Sequence, residues 1–272
     1  MKYCRYLSTE KIIRYAIVEE REGALWAVDR MEPPVEDLCA RLAAATEPNF
    51  PDDPVPLSSL KLLPPVAPSK IVCVGRNYRD HATEMGNDIP TEPLLFLKPP
   101  SSLLSPNGTV RMPALSSRID YEGELAIVIA KRCHKLGPNE DAARYIRGYT
   151  IVNDVTARDI QKSDGQWTRG KGWDTFCPVG PIVSDEINPL HGASVTVTTR
   201  LNNQVMQQGS TADLIFPIDH LLRYISATMT LEPGDLIPTG TPAGVGPVAT
   251  GDTVEVEVTG LGVLTNRFAI ES

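Results

Sequence analysis

The chain has 272 residues, 42% hydrophobic and 22% charged, which suits one large domain or a large one with a small partner and excludes global disorder. Its net charge of -8 argues against a general binder of nucleic acid or of acidic membranes, so an anionic substrate has to be met by local cations. The five cysteines, Cys4, Cys39, Cys73, Cys133 and Cys177, are scattered without zinc spacing or a C-x-x-C pair and read as reduced, mostly core thiols.

From the N-terminus the chain reads as a strand meander, clearest at 12–19 and 25–29, followed by a helical stretch at 35–45. No signal-type apolar core follows Met1 and no apolar run is long enough to span a bilayer, so a cytoplasmic protein is expected. Seven of the 24 prolines lie between Pro48 and Pro68, a density incompatible with regular helix or a central strand. A semi-rigid connection is expected there, dividing a small N-terminal domain, 1–68, from a larger one, 69–272. Beyond it, short apolar runs at 71–74, 94–97, 125–130, 149–152, 195–201 and 254–258 are separated by Gly and Pro. Helical patterns are fewer, at 78–85, 142–146 and 218–227, which predicts a β-rich α+β fold without regular βαβ alternation.

Three clusters carry chemistry. In Asp120-Tyr121-Glu122-Gly123-Glu124, Glu122 and Glu124 leave the same face of a strand, and Asp154 ends the apolar run 149–152. Three carboxylates sharing a partly dry space repel one another, and each uncompensated buried charge costs several kcal/mol. A divalent cation resolves the conflict, and oxygen-only ligands select a hard ion, Mg²⁺ with Mn²⁺ or Ca²⁺ as substitutes. The same spacing also fits the solvated face of an exposed strand.

The second cluster is Gly75-Arg76-Asn77-Tyr78-Arg79-Asp80-His81-Ala82-Thr83-Glu84, a strand end, a turn and a short helix. His81 and Glu84, three apart, share one helical face, where a carboxylate can fix the imidazole tautomer and raise its basicity; an incidental surface pair has the same spacing. The third gathers Arg158, Asp159 and Gln161 just after Asp154, Lys171 ten residues further on, and the turn Thr239-Gly240-Thr241-Pro242-Ala243-Gly244-Val245-Gly246. Cations beside such an acid suit a substrate carboxylate or a developing enolate, although a solvated charged turn would look alike. The glycine-rich turn lacks the Lys-Ser/Thr step of a phosphate loop and instead offers amides and the Thr241 hydroxyl to an anion. Cys177 has no base at a recognisable spacing and reads as packing.

In chain order, Gly75-Arg76-Asn77-Tyr78, Asp120-Tyr121-Glu122-Gly123-Glu124, Asn153-Asp154-Val155-Thr156-Ala157-Arg158-Asp159 and Gly240-Thr241-Pro242-Ala243-Gly244-Val245-Gly246 resemble the fumarylacetoacetate hydrolase family over about residues 69–265. The resemblance implies a mixed β-sandwich roll as catalytic domain, a Mg²⁺-type ion on Glu122, Glu124 and Asp154, and a homodimer. It places the family's base on His81, its partner acid on Glu84, its active-site lysine on Lys171, and its substrate contacts on Arg76, Arg158, Gln161 and Thr241. The short N-terminal unit looks like that of the smaller prokaryotic-type members.

The expected substrate is a small anionic keto acid. The leading reading is metal-dependent hydrolysis of a C-C bond in a 2,4-dioxo acid, an acylpyruvate such as fumarylpyruvate, with His81 activating water and a metal-stabilised pyruvate enolate as the leaving fragment. Decarboxylation or tautomerisation of oxaloacetate and isomerisation of 2-hydroxyhepta-2,4-diene-1,7-dioate use the same enolate and stand as alternatives. A catalytically silent metal-binding module is the alternative outside enzymes. Residues 86–91, just after the base, read as a glycine-hinged lid.

Overall fold

A computed structural model describes residues 1–44, 53–84, 88–191 and 193–271. Strands dominate, in the expected α+β arrangement, and form a long mixed sheet, a five-stranded sheet and a three-stranded one. The long sheet runs Val55–Pro56, Ala24–Met31, Ile13–Arg21, Lys2–Leu7, Cys177–Ser184, Ile146–Asn153, Gly123–Ile129, Leu236–Pro238, Ile71–Gly75, Leu94–Lys98. The five-stranded sheet runs Gln204–Ser210, Thr196–Leu201, Thr253–Val258, Gly262–Ile270, Thr109–Met112.

Every residue of Gly123–Ile129 is buried, and its two faces meet different partners. Leu125, Ile127 and Ile129 share a core with Val197, Val256 and Phe268 of the five-stranded sheet, whereas Ala126 and Val128 pack with Tyr3, Tyr15 and Val179. Each such aliphatic side chain contributes roughly 1.5–3 kcal/mol on full burial, so the register is strongly fixed. The two-residue period then assigns Glu122 and Glu124 to the Ala126 face and Gly123 to the face of the five-stranded sheet. A Cβ on Gly123 would lie 2.1 Å from Thr199 Oγ1 and 2.9 Å from a Val256 methyl. Glycine between the glutamates is what lets the two sheets close there.

The apolar runs in the larger part of the chain all become strands, and the 218–227 pattern becomes Ile218–Thr228, which buries Ile218, Leu221, Leu222 and Ile225. The 142–146 pattern differs: it is a 3₁₀ turn, Ala142–Tyr145, with Asp141 accepting the Ala143 N–H at 3.0 Å, and the chain enters a strand at Ile146. The sheet's demand for Ile146–Asn153 overrides local helix propensity. Cys177–Ser184 gave no strand signal because it carries Pro178 and Pro181, yet it is fully buried in the long sheet. An irregularity in its pairing with Ile146–Asn153 accommodates residues that cannot complete a ladder. The expected helix at 35–45 forms as Leu38–Ala44; residue 45, residues 48–52 of the proline-rich connection and residues 86–87 of the expected lid lie outside the described residues.

All five cysteines are unpaired, and four are buried. Among the described residues, no helix is long and apolar enough to cross a membrane. Gly123→Ala is expected to destabilise the protein by about 1–3 kcal/mol through overpacking, and to weaken divalent-metal uptake by displacing the flanking glutamates. Denaturant unfolding together with a metal titration checks this; wild-type values in both would show that the sheets can yield.

Candidate active site

The acids come together because two strand ends meet. Gly123–Ile129 begins between Glu122 and Glu124, and its neighbour Ile146–Asn153 ends one residue before Asp154, with Gly123 opposite Asn153 in register. The backbone is tied at this corner: Asn153 Oδ1 accepts the Glu122 N–H at 3.0 Å, and Glu122 O accepts the Asp154 N–H at 2.8 Å. One carboxylate oxygen from each of Glu122, Glu124 and Asp154 lies within 4.8 Å of the others, and all three residues are buried. The solvated-strand alternative is therefore excluded.

Cations surround the trio. Lys171 Nζ donates to Glu122 Oε2 at 2.8 Å and to Asp154 Oδ2 at 2.6 Å. Lys98 Nζ reaches the other Asp154 oxygen at 2.6 Å and Val155 O at 3.2 Å. Arg158 donates from Nη2 to Glu122, from Nε to Asp120 at 2.9 Å and from Nη1 to Gln161 Oε1 at 2.7 Å. Glu124 is different: among the described residues its one hydrogen bond comes from the Gly240 amide, at 2.8 Å. Burial and the neighbouring Asp154 and Glu122 push its carboxyl well above the usual range. Burial also opposes the ionisation of Glu122, but Lys171 and Arg158 outweigh it and hold Glu122 well below its ordinary value. Burial works against the Lys171 ammonium too, and Asp154 and Glu122 reverse that, raising its pKa.

A hard divalent cation fits this donor set. The ligands are all oxygen, they converge, and one of them, Glu124, forms no ion pair among the described residues, Lys171 offsetting its burial only in part.

Of the other expected residues, His81, Arg76, Arg158, Gln161, Lys171 and Thr241 line the same cavity, and Glu84 stands behind His81. His81 sits on Arg79–Glu84, with Nδ1 buried, without a hydrogen bond, and 3.5 Å from Glu84 Oε2. Burial lowers its pKa from 6.5, partly opposed by Glu122 and Glu84, so the imidazole is neutral at pH 7. Both oxygens of Glu84 accept the Gly244 amide, at 3.2 and 3.0 Å, which links the dyad to the glycine-rich turn. Thr241 Oγ1 donates to Gly123 O at 2.9 Å and accepts from Gln207 Nε2 at 2.8 Å. Asp159 is bound by Ser116 and Ser117 and serves the loop. Burial pushes the Cys177 thiol up to about 12, in keeping with a packing role.

Several site residues gave no sequence signal. Lys98 ends the apolar strand Leu94–Lys98 and is fully buried against Asp154; its one clue was a lysine at the inner end of a hydrophobic run. Gln207 bridges the Gly123 amide, at 3.0 Å, to Thr241 and Pro242 O, and lies on a strand with no marked pattern. Phe96 and Trp167 line the cavity as an edge-on pair 5.1 Å apart.

A strand-rich α+β fold with a buried acid trio, flanked by a lysine and a His-Glu pair, defines a candidate metal-dependent enzyme. The family model for the fumarylacetoacetate (FAA) hydrolase C-terminal domain matches residues 70–269, and the Rv2993c-like N-terminal model matches residues 1–65. The chain belongs to the fumarylacetoacetate hydrolase family. It is similar to the structure of 2-hydroxyhepta-2,4-diene-1,7-dioate isomerase from Mycobacterium marinum, with a TM-score of 0.84 and 41% identity, covering 100% of this chain and 99% of that one. A mitochondrial oxaloacetate decarboxylase from Dictyostelium discoideum is 48% identical over 198 residues, 71% of this chain and 89% of that protein. Fumarylpyruvate hydrolase from Pseudomonas aeruginosa, in complex with Mn²⁺ and pyruvate, aligns with a TM-score of 0.68 and 31% identity, covering 78% of this chain and 92% of that one. These family members are enzymes of three reaction types.

Glu124→Gln keeps the side chain's shape and removes one charged ligand. Mn²⁺ affinity measured by calorimetry is expected to fall by more than the roughly 10–100-fold typical of losing a supporting contact. Undiminished affinity would take the ion away from this trio.

Proposed function

We propose that the protein hydrolyses a C-C bond in a 2,4-dioxo acid of the acylpyruvate type, with Mg²⁺ or Mn²⁺ held by Glu122, Glu124 and Asp154. A bound divalent ion would supply positive charge to a chelating 2-oxo acid and to the electron pair released by cleavage. The observation that carries the hydrolytic reading is the buried, neutral His81 beside Glu84, in the same cavity as the acid trio.

With Nδ1 directed at Glu84, the other ring nitrogen, Nε2, is the atom to take a proton from water. The water oxygen then bonds to the acyl carbon, the bond from that carbon to the pyruvate methylene breaks, and the methylene receives a proton to give pyruvate and the free acid. Lys171, already bridging Glu122 and Asp154, holds Glu122 ionised and adds a positive charge near the developing enolate. Gln161, oriented through its carbonyl by Arg158, presents its amide group to the substrate.

A second reading, oxaloacetate decarboxylation or tautomerisation, is favoured by the 48% identity to the Dictyostelium decarboxylase. It needs the same charge stabilisation and no attacking water. Turnover of acetylpyruvate, fumarylpyruvate and oxaloacetate by the purified Mg²⁺-loaded protein separates the two, and activity on oxaloacetate alone would replace the first reading by the second.

His81→Ala is expected to lower the hydrolytic rate by roughly 10²–10⁴ while metal uptake persists. Unchanged turnover in the variant would remove the proposed base. Because burial lowers the His81 pKa from 6.5, the base form predominates at neutral pH. The acid limb of the kcat/KM profile should therefore have its midpoint below 6.5. A midpoint above 6.5 would require a different group.

A further inference from the structure

Each acid of the trio has one oxygen gripped by a donor of its own. Lys98 Nζ donates to Asp154 Oδ1 at 2.6 Å, Arg158 Nη2 donates to Glu122 Oε1, and the Gly240 amide donates to Glu124 Oε2 at 2.8 Å. The second oxygens of Glu122 and Asp154 face a common space, because the one ammonium of Lys171 reaches both, Oε2 at 2.8 Å and Oδ2 at 2.6 Å. Each residue is thus left with one oxygen to offer an ion.

Lys98 is the most tightly set of these donors. It is fully buried at the end of Leu94–Lys98, and it also donates to Val155 O at 3.2 Å, so its ammonium is fixed to the main chain beside the acid it binds. The cavity is lined by Lys171 and not by Lys98, so the charge of Lys98 acts on the site through Asp154. An ion that drew on both Asp154 oxygens would have to compete with this ammonium for Oδ1 and approach a like charge in a place without water to screen it. That restriction bears unequally on hard dications. Ca²⁺ has the larger and more flexible shell and often takes both oxygens of a carboxylate, whereas Mg²⁺ demands octahedral geometry, is content with single carboxylate oxygens and keeps several waters.

We propose that Lys98 is a positioning residue that confines Asp154 to one ligand oxygen and so biases the site toward Mg²⁺ and Mn²⁺ and against Ca²⁺. The inference rests on reading the acid trio as a metal site, and it holds whichever keto acid is turned over.

The test is displacement of bound Mn²⁺ by Mg²⁺ and by Ca²⁺ from wild type and from Lys98→Met, with the released Mn²⁺ followed by electron paramagnetic resonance. Loss of a positive charge or a loosened site changes the affinity for both ions together, so the readout is their ratio. The Ca²⁺-to-Mg²⁺ affinity ratio should rise by roughly 10-fold or more in the variant, the scale on which a contact supporting a metal ligand acts. An unchanged ratio, a ratio that moves toward Mg²⁺, or failure of Ca²⁺ to displace Mn²⁺ from both proteins overturns the proposal. If Lys98→Met does not fold, infrared difference spectra of wild type with carboxyl-labelled aspartate replace it. The aspartate stretches that respond to Ca²⁺ should then show single-oxygen ligation, as with Mg²⁺, and bands of two-oxygen ligation overturn the proposal. No Mn²⁺ uptake by wild type would sink the metal reading itself, whereas uptake with an unchanged ratio sinks this inference alone.

Discussion

Like charge concentrated in a dry place is the constraint on which the site depends. Glu122, Glu124 and Asp154 converge inside a protein whose interior would otherwise drive such groups to protonate. Two lysines and an arginine counter this for Glu122 and Asp154, and each is itself buried. Neither set would be stable in that position alone. Glu122 and Asp154 hold the Lys171 ammonium charged, and Lys171 and Arg158 hold Glu122 ionised, so removing one partner leaves a charge exposed to the full cost of burial. Glu124 stands outside this mutual arrangement, which is why it marks the place where an added cation has most effect.

The scaffold converts sheet geometry into site geometry. A strand buried on both faces cannot slip by one residue without exchanging its cores, and that same register sends two glutamates to one side and a glycine to the other. Asn153 and Gln207 fix the backbone through the amides of Glu122 and of that glycine, so the acids are placed by the main chain more than by their own rotamers. Glu84, bonded to the Gly244 amide, joins the short helix of His81 to the glycine-rich turn.

Much of this was readable from residues 120–124 and 153–161, because strand alternation and carboxylate chemistry are local facts. The apolar runs gave the strands that bury both faces, since their hydrophobicity is continuous. Cys177–Ser184 stayed hidden because its prolines and glycine mimic a loop, and its place in the sheet comes from distant partners. Lys98 stayed hidden for a related reason: a lysine after an apolar run reads as a surface residue until Asp154, 56 positions away, is brought beside it. The pairing of Arg76 with Trp167 spans a longer separation still, and no periodicity reports it. The Thr241 hydroxyl is the converse case, a residue found by motif whose proton the fold directs to a backbone carbonyl.

The N-terminal strands continue the long sheet, with Lys2–Leu7 running antiparallel to Cys177–Ser184. The matches to two separate family models therefore do not correspond to two separate sheets. Stripped of its first segment, the remaining chain would present the Val183–Ser184 end of the strand Cys177–Ser184 to water, with main-chain groups that Lys2 and Tyr3 no longer meet. The small leading unit thus acts as a selvedge: it finishes the fabric of the catalytic portion, and a truncated version would seek its missing neighbour in other molecules and aggregate.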